Sequence, residues 1–269
     1  EEEEGLPDSE VFELDSLAKW KVKDHLVRME DEDISAFRDR AAKEGKLPLK
    51  TLGEIELDEL QEEVEELRST LQELRSAGSE QSVAIDFSVD DLRIRGEVDG
   101  VYGRKYVAYA FSDKMKYRMR ANLNALLLFA TGKIDEGVFY WTHKGKAKSV
   151  ELAVVPREDA KKRIAELCGM FKEGWSRPLR MTSAALEQVL DKTAIENVFD
   201  RDVGDSERTG YPKDKYVKYL YDTGWLDDFT VDPFHRNDFD AEEIYNRPVY
   251  SLMNTLGELL NLKTPENDG

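Results

Sequence analysis

The stretch Arg93-Ile-Arg-Gly-Glu-Val-Asp-Gly-Val-Tyr-Gly-Arg-Lys-Tyr-Val-Ala-Tyr-Ala-Phe111 decides how this chain folds. Its β-branched and aromatic residues alternate with small and polar ones, the pattern of a half-buried strand. Gly103-Arg104 interrupts the alternation and suits a tight turn, so the stretch predicts two strands joined as a hairpin. The first arm carries one inward-looking acid, Asp99, directly before Gly100. The second arm carries Ala108-Tyr109-Ala110.

Working outward, Val83–Val89 reads as a further strand, so the strands predicted here are Val83–Val89, Leu92–Tyr102 and Lys105–Phe111. Before them, Leu57, Leu60, Val64, Leu67, Leu71 and Leu74 recur at helical spacing with glutamates on the other face. The run is too short for a coiled coil, and the reading is an amphipathic helix packed on its own domain. Ala77-Gly-Ser79 ends it. Nearer the start, Asp15 can cap a helix through Leu17, Trp20 and Val27, and Asp33 a second through Ile34, Phe37 and Ala41 with Gly45 as its stop. Leu47-Pro-Leu-Lys-Thr-Leu-Gly53 reads as an apolar linker.

After the hairpin, Asp113 is the expected cap of a helix through Leu123, Leu126, Leu127 and Phe129, stopped by Gly132. Gly137–Thr142 and Ala147–Val154 form a second hairpin around Lys144-Gly145-Lys146, and Pro156 opens a helix ending near Gly174. Helix, strands, helix, strand pair, helix is an α/β (α+β) order with a mixed sheet. Beyond it come a short helix over Thr182–Leu190, a weakly patterned excursion over 200–245 with a short helix near Tyr216–Tyr221, and a final helix over Pro248–Leu260. The expected domain plan is a disordered lead-in at 1–11, one domain over 12–195, an extension packed on it over 196–262 and a tail at 263–269.

The chain has 269 residues, 40% hydrophobic and 36% charged, with net charge −18. That excludes wholesale disorder, and it excludes a surface that grips a duplex all over, since a free-standing DNA binder is usually basic. No apolar run is long enough to cross a bilayer, no secretory signal is present, and the one cysteine, Cys168, can form no internal disulfide. These point to a cytoplasmic, reducing setting. The chain starts at Glu1 rather than Met, as a piece of a longer protein would.

Cationic side chains are clustered. Arg93, Arg95, Arg104, Lys105, Lys114, Lys116, Arg118 and Arg120 crowd the region of the hairpin and the following helix, against Glu97, Asp99 and Asp113. With the turn Lys144-Gly-Lys146-Ala-Lys148 they form the candidate phosphate-contacting strip; the alternative is that they pair with nearby acids or a partner. His25, His143 and His235 have no metal-ligand spacing, and there is no phosphate loop of the ATPase type. Cys168 reads as core. Trp20, Trp141, Trp175 and Trp225 read as core or interface anchors rather than base-stacking platforms.

Nucleases of the restriction-endonuclease-like fold, the PD-(D/E)XK type, place an Asp at the end of one strand and an acid-x-Lys triplet on the next. The carboxylates hold Mg²⁺ and the lysine serves the attacking water. Asp99 occupies the first position, but the triplet position reads Ala108-Tyr109-Ala110, and alanine neither binds metal nor carries charge. Glu97 and Asp99 could form a weak migrated site, with Asp86 on the preceding strand; Asp99 before Gly100 could equally be a turn-forming acid.

Several phrases, in order, resemble the C-terminal domain of the RecC family, the gamma subunit of exodeoxyribonuclease V (the RecBCD-type helicase–nuclease). They are Phe12-Glu-Leu-Asp15, Gly45-Lys-Leu-Pro-Leu49 with Gly53-Glu54, Gly96-Glu-Val-Asp-Gly-Val-Tyr-Gly103, Lys114-Met-Lys116, Phe171-Lys-Glu-Gly-Trp-Ser-Arg-Pro-Leu179 and the turn Asn246-Arg-Pro-Val249. The resemblance is good over 12–190 and weak over 200–245. It implies a restriction-endonuclease-like core flanked by helices, without the active site, inside an ATP-dependent exodeoxyribonuclease and helicase. It implies RecB-like and RecD-like partner subunits, DNA as a duplex end or separated strands, and no cofactor. The expectation is a non-catalytic domain of double-strand-break repair, with no catalytic residue, no bound metal and degenerate positions Asp99, Ala108 and Ala110. The alternatives are a Mg²⁺-dependent nuclease using Glu97 and Asp99, or a protein-interaction module with no DNA contact.

Overall fold

The computed structural model describes residues 13–29, 34–48, 51–89, 91–176, 186, 190 and 248–262. They belong to two compact units, one drawn from Glu1–Val83, Glu97–Asp113 and Ile134–Leu152, the other from Ala84–Gly96, Lys114–Lys133 and Ala153–Gly269.

A five-stranded sheet runs in chain order: β1 (Glu80–Val89), β2 (Leu92–Tyr102), β3 (Lys105–Ala110), β4 (Glu136–His143) and β5 (Lys146–Leu152). β2 pairs antiparallel with β3 and β4 with β5, whereas β3 and β4 are parallel. Parallel neighbours need a crossover, and the helix Met115–Thr131 lies between them in sequence. The sheet is therefore mixed and the chain is α/β, as the order of elements predicts. Both tight turns fall where glycine and its neighbours allow them. Gly103 has φ +62 at the β2–β3 turn, and Lys144 and Gly145 both have positive φ, +51 and +73, between His143 and Lys146. Two positive φ values in a two-residue loop match the right-handed twist of the flanking strands.

In the first unit, α1 (Ser16–Arg28), α2 (Ile34–Lys43) and α3 (Thr51–Ala77) cover one face of the sheet. α1 begins as expected: Asp15 Oδ1 accepts from the Ala18 amide at 2.7 Å. Arg75 on α3 donates to the Val27 carbonyl at 2.9 Å, so one of the open carbonyls at the end of α1 is satisfied. α3 is the spine. Leu57, Leu60, Val64, Leu67 and Leu71 are all buried against α1, α2, Val107 of β3 and Val138 of β4. Each buried side chain of that size contributes roughly 1.5–3 kcal/mol of transfer free energy. The polar face is held to its neighbours by the pairs Lys19–Glu56, Lys23–Glu63 and Lys146–Glu66.

The second unit contains the outer parts of β1 and β2 with α4 (Met115–Thr131), α5 (Arg157–Ser176) and α6 (Pro248–Leu259). α4 and α5 pack together, and Arg163 on α5 donates to the carbonyls of Glu258 and Leu259 near the end of α6. Gly132, in the left-handed conformation, ends α4 as the sequence predicts.

Several expectations change. The segment 47–53 is not simply a linker: α3 starts at Thr51 and Leu47 is buried. A Cβ on Gly53 would sit 2.0 Å from the Pro48 carbonyl oxygen, so only glycine lets the chain fold back onto the first turn of α3. The N-cap of α4 is Lys114, with no side-chain cap, because the backbone stays extended one residue past Asp113. Cys168 is half-buried rather than core, since the buried residues of α5 are Ala160 and Ile164 in its first half. Trp20 and Trp175 are exposed, Trp175 to 82%, so neither is a core anchor. Leu186 and Leu190 are helical and Leu186 is buried. The lead-in at 1–11, the cap Asp33, the excursion over 200–245, Trp225, His235 and the tail at 263–269 lie outside the described residues. Among the described residues no helix is long and apolar enough to cross a membrane.

Candidate nucleic-acid interface

β3 lies between β2 and β4, so its side chains divide between two faces with period two. Val107 and Tyr109 face the helical layer of the first unit; Ala108 and Ala110 therefore point to the opposite face. Tyr109 is fixed firmly. Its hydroxyl donates to Asp24 Oδ1 at 2.8 Å and accepts from Arg28 Nε at 3.0 Å, and Arg28 also meets Asp24 at 3.0 Å, one turn apart on α1. Burial, reinforced by the Asp24 carboxylate, pushes the phenol well above its ordinary value. The middle residue of the triplet is thus a bolt between strand and helix. Sequence reading missed Tyr109, Asp24 and Arg28 because the contact spans 85 positions and no local pattern marks it.

Ala110 is 4% exposed. The position where the nuclease pattern has lysine thus lacks both the charge and an open route to water. Asp99, expected to look inward, is exposed, while its neighbours Val98, Gly100 and Val101 are buried. The irregularity sits at Gly100, which has φ +83 and where a Cβ would fall 2.4 Å from the Val107 carbonyl oxygen. Glu97 is exposed and accepts a long 3.4 Å hydrogen bond from Ser82. Asp86 is engaged by Arg93 through two 2.8 Å bonds and by Arg95 at 3.5 Å, and the Arg93 contact holds its carboxyl below the usual range. Among the described residues no three His, Cys, Asp or Glu side chains gather in a way that would hold a metal ion.

The cations of the candidate strip have different fates. Arg93 and Arg95 converge on Asp86. At the β2–β3 turn, Arg104 forms a two-pronged pair with Asp135 at 2.5 and 2.6 Å, and Lys105 lies 3.6 Å from Glu136. Arg118 is buried, at 8% exposure, and so presents no charge to a phosphate. Lys114, Lys116 and Arg120 are exposed, and Lys116 and Arg120 are one turn apart on α4, with the Lys116 ammonium 4.9 Å from the Tyr117 ring centre. In the β4–β5 turn, Lys144 and Lys148 are exposed while Lys146 meets Glu66 at 3.5 Å. The structure thus separates neutralised cations from open ones, which a count along the sequence cannot do.

Fold and site together define a class: an α/β protein with a mixed sheet, an acid on one central strand and two alanines flanking an anchored tyrosine on the next. Residues 1–191 match the family of the RecC C-terminal domain, and the chain belongs to that family. Membership associates it with RecC, with the RecBCD complex that handles DNA, and with recombination and DNA repair. Comparison with curated proteins gives no match.

Proposed function

We propose that this chain is a non-catalytic, nuclease-fold domain of a RecBCD-type complex that docks RecB-like and RecD-like subunits and guides DNA during double-strand-break repair. The carrying observation is the state of β3. Ala108 and Ala110 share the face where an acid and a lysine would act, Ala110 is buried, and Tyr109 between them is committed to Asp24 and Arg28. One carboxylate at Asp99 cannot supply both metal binding and water activation. In this reading the nuclease-like domain covers 12–195 and works in the cytoplasm where its DNA is; most of the expected extension over 196–262 lies outside the described residues.

DNA contact in this reading falls to the open cations Lys114, Lys116 and Arg120, with Lys144 and Lys148 at the second turn. The test is direct. The purified chain, incubated with linear DNA and Mg²⁺ or Mn²⁺, is expected to leave it intact. Metal-dependent cleavage that disappears in Asp99→Ala would sink the reading and favour a migrated site. A purely protein-binding role is supported by a different observation. Leu17, Trp20, Leu52 and Ile55 are exposed on α1 and α3 in a chain of net charge −18. Gel shifts at low salt separate the two: no shift at all would favour the protein-binding role.

A further inference from the structure

A second cationic feature lies in the second unit, built from cations other than those singled out in the sequence. A cleft of about 680 Å³ is lined by the outer part of β1, the end of α4 and the start of α5. Lys133 reaches it from the loop after α4 and Arg157 and Lys161 from α5, Thr131 and Ser88 bring hydroxyls, and Phe87 brings a half-buried ring. Among the described residues the one carboxylate in its lining is Asp86, which Arg93 and Arg95 already engage. In a chain with net charge −18 this is a local reversal of sign.

The negative end of α4 does not cancel it. The Leu128 carbonyl accepts from Lys133 N and Thr131 Oγ1, the Phe129 carbonyl from Gly132 N, and the Ala130 carbonyl from Arg157 Nε at 3.2 Å. Those bonds satisfy last-turn carbonyls and also fix the Arg157 guanidinium beside the cleft, close enough to Gly132 that a Cβ added there would meet it at 3.9 Å. Among the described residues neither Arg157 nor Lys133 is in an ion pair, although the Lys161 contact and, after it, the Arg157 charge help hold the Glu158 carboxyl below its usual range. Lys161 meets Glu158 at 2.8 Å, an exposed pair of the kind that exchanges readily for a phosphate.

We infer that this cleft holds a backbone phosphate of single-stranded nucleic acid, with Arg157 and Lys133 as the primary contacts and Lys161 as a third. Arg157 offers a planar fork suited to phosphate oxygens, and the lysines act as point charges. Ser88 can donate to the same group, whereas the Thr131 hydroxyl already donates to the Leu128 carbonyl, and Phe87 offers a surface for a neighbouring sugar or base. A cleft of this volume admits a phosphate and its flanking nucleotide but not a duplex, whose major groove alone is about 12 Å wide. The inference deepens the DNA-guiding role and rests on it.

The test uses the full 269-residue chain and a fluorescent oligothymidylate, read by anisotropy across a salt series. The variants are Lys133→Glu and the double change Lys133→Glu with Lys161→Glu, both at exposed positions that leave Arg157 and its helix bond in place. Affinity is expected to fall roughly tenfold or more in the double variant, with the salt slope reduced by about 1.4 for two lost contacts on a single strand. Oligothymidylate binding that these variants leave unchanged would remove the cleft while leaving the DNA-guiding role standing. No binding by the unaltered chain would remove both. Inorganic phosphate or a free mononucleotide that binds in the absence of oligonucleotide binding would reassign the cleft to a small phosphate ligand. Duplex binding that is equally sensitive to the variants would overturn the single-strand assignment.

Discussion

Replacing Tyr109 with phenylalanine isolates the bolt between β3 and α1. The hydroxyl makes two hydrogen bonds to charged groups, at 2.8 Å to Asp24 and 3.0 Å from Arg28. Bonds of that kind are worth about 1.5–3 kcal/mol each. The ring stays, so packing is kept, and Asp24 and Arg28 still meet each other at 3.0 Å. Both also reach water, with side-chain exposures of 21% and 60%, which reduces the loss further. The net cost of Tyr109→Phe is therefore about 1–2 kcal/mol, a fall in Tm of roughly 2–8 °C for a chain of this size. Urea unfolding should show a lower midpoint with an unchanged slope. An alkaline signature should accompany it. Burial raises the folded phenol above its ordinary value of 10. Above the unfolded pKa, the unfolded chain gives up a proton that the folded chain keeps, so stability is full below about pH 10 and falls as pH rises beyond it. Tyr109→Phe lacks that group and should lose less stability over the same range. A variant within about 0.3 kcal/mol of the parent, with the same alkaline profile, would refute the bolt.

Four further outcomes follow from the geometry. Gly100→Ala should destabilise by about 1–3 kcal/mol, because alanine must adopt φ +83 and place its methyl 2.4 Å from the Val107 oxygen; equal urea midpoints would contradict this. Leu67→Ala, at 0% exposure in the α3 spine, should cost about 2–5 kcal/mol by calorimetry. Rebuilding the nuclease triplet with Ala108→Asp and Ala110→Lys should cost several kcal/mol rather than restore cleavage, since the lysine replaces a buried methyl; a stable, Mg²⁺-dependent nuclease would show that the site has room. Lys116→Glu with Arg120→Glu should weaken DNA binding and flatten its salt dependence, whereas Arg104→Ala, whose guanidinium is engaged by Asp135, should change affinity little. The reverse order of effects in gel shifts would relocate the interface to the β2–β3 turn.

The Ala108-Tyr109-Ala110 triplet lies on β3, between β2 and β4. A strand between two others has both of its hydrogen-bonding edges committed. When its outward positions are alanine and its inward one a tyrosine tied to a helix, little freedom remains for chemistry there. What such a strand can still do is hold the frame on which other surfaces are carried.

The local grammar of this chain was legible from its residues. Strand limits over Leu92–Tyr102, the two tight turns at Gly103 and Gly145, the Asp15 cap and the apolar stripe of α3 all depend on side chains a few positions apart. Near neighbours interact however the rest of the chain folds, so their pattern survives in the sequence. The alanines at 108 and 110 likewise declare by composition alone that they carry no ligand. Other features were decided by tertiary structure. Tyr109 reaches Asp24 across 85 positions, Arg104 finds Asp135 across 31, and Arg118 turns out to be buried. The cleft joins Phe87, Lys133 and Arg157 from three separate elements. Whether a charge is open, paired or enclosed depends on what the fold brings opposite it, and distance through space leaves no periodic mark along the chain.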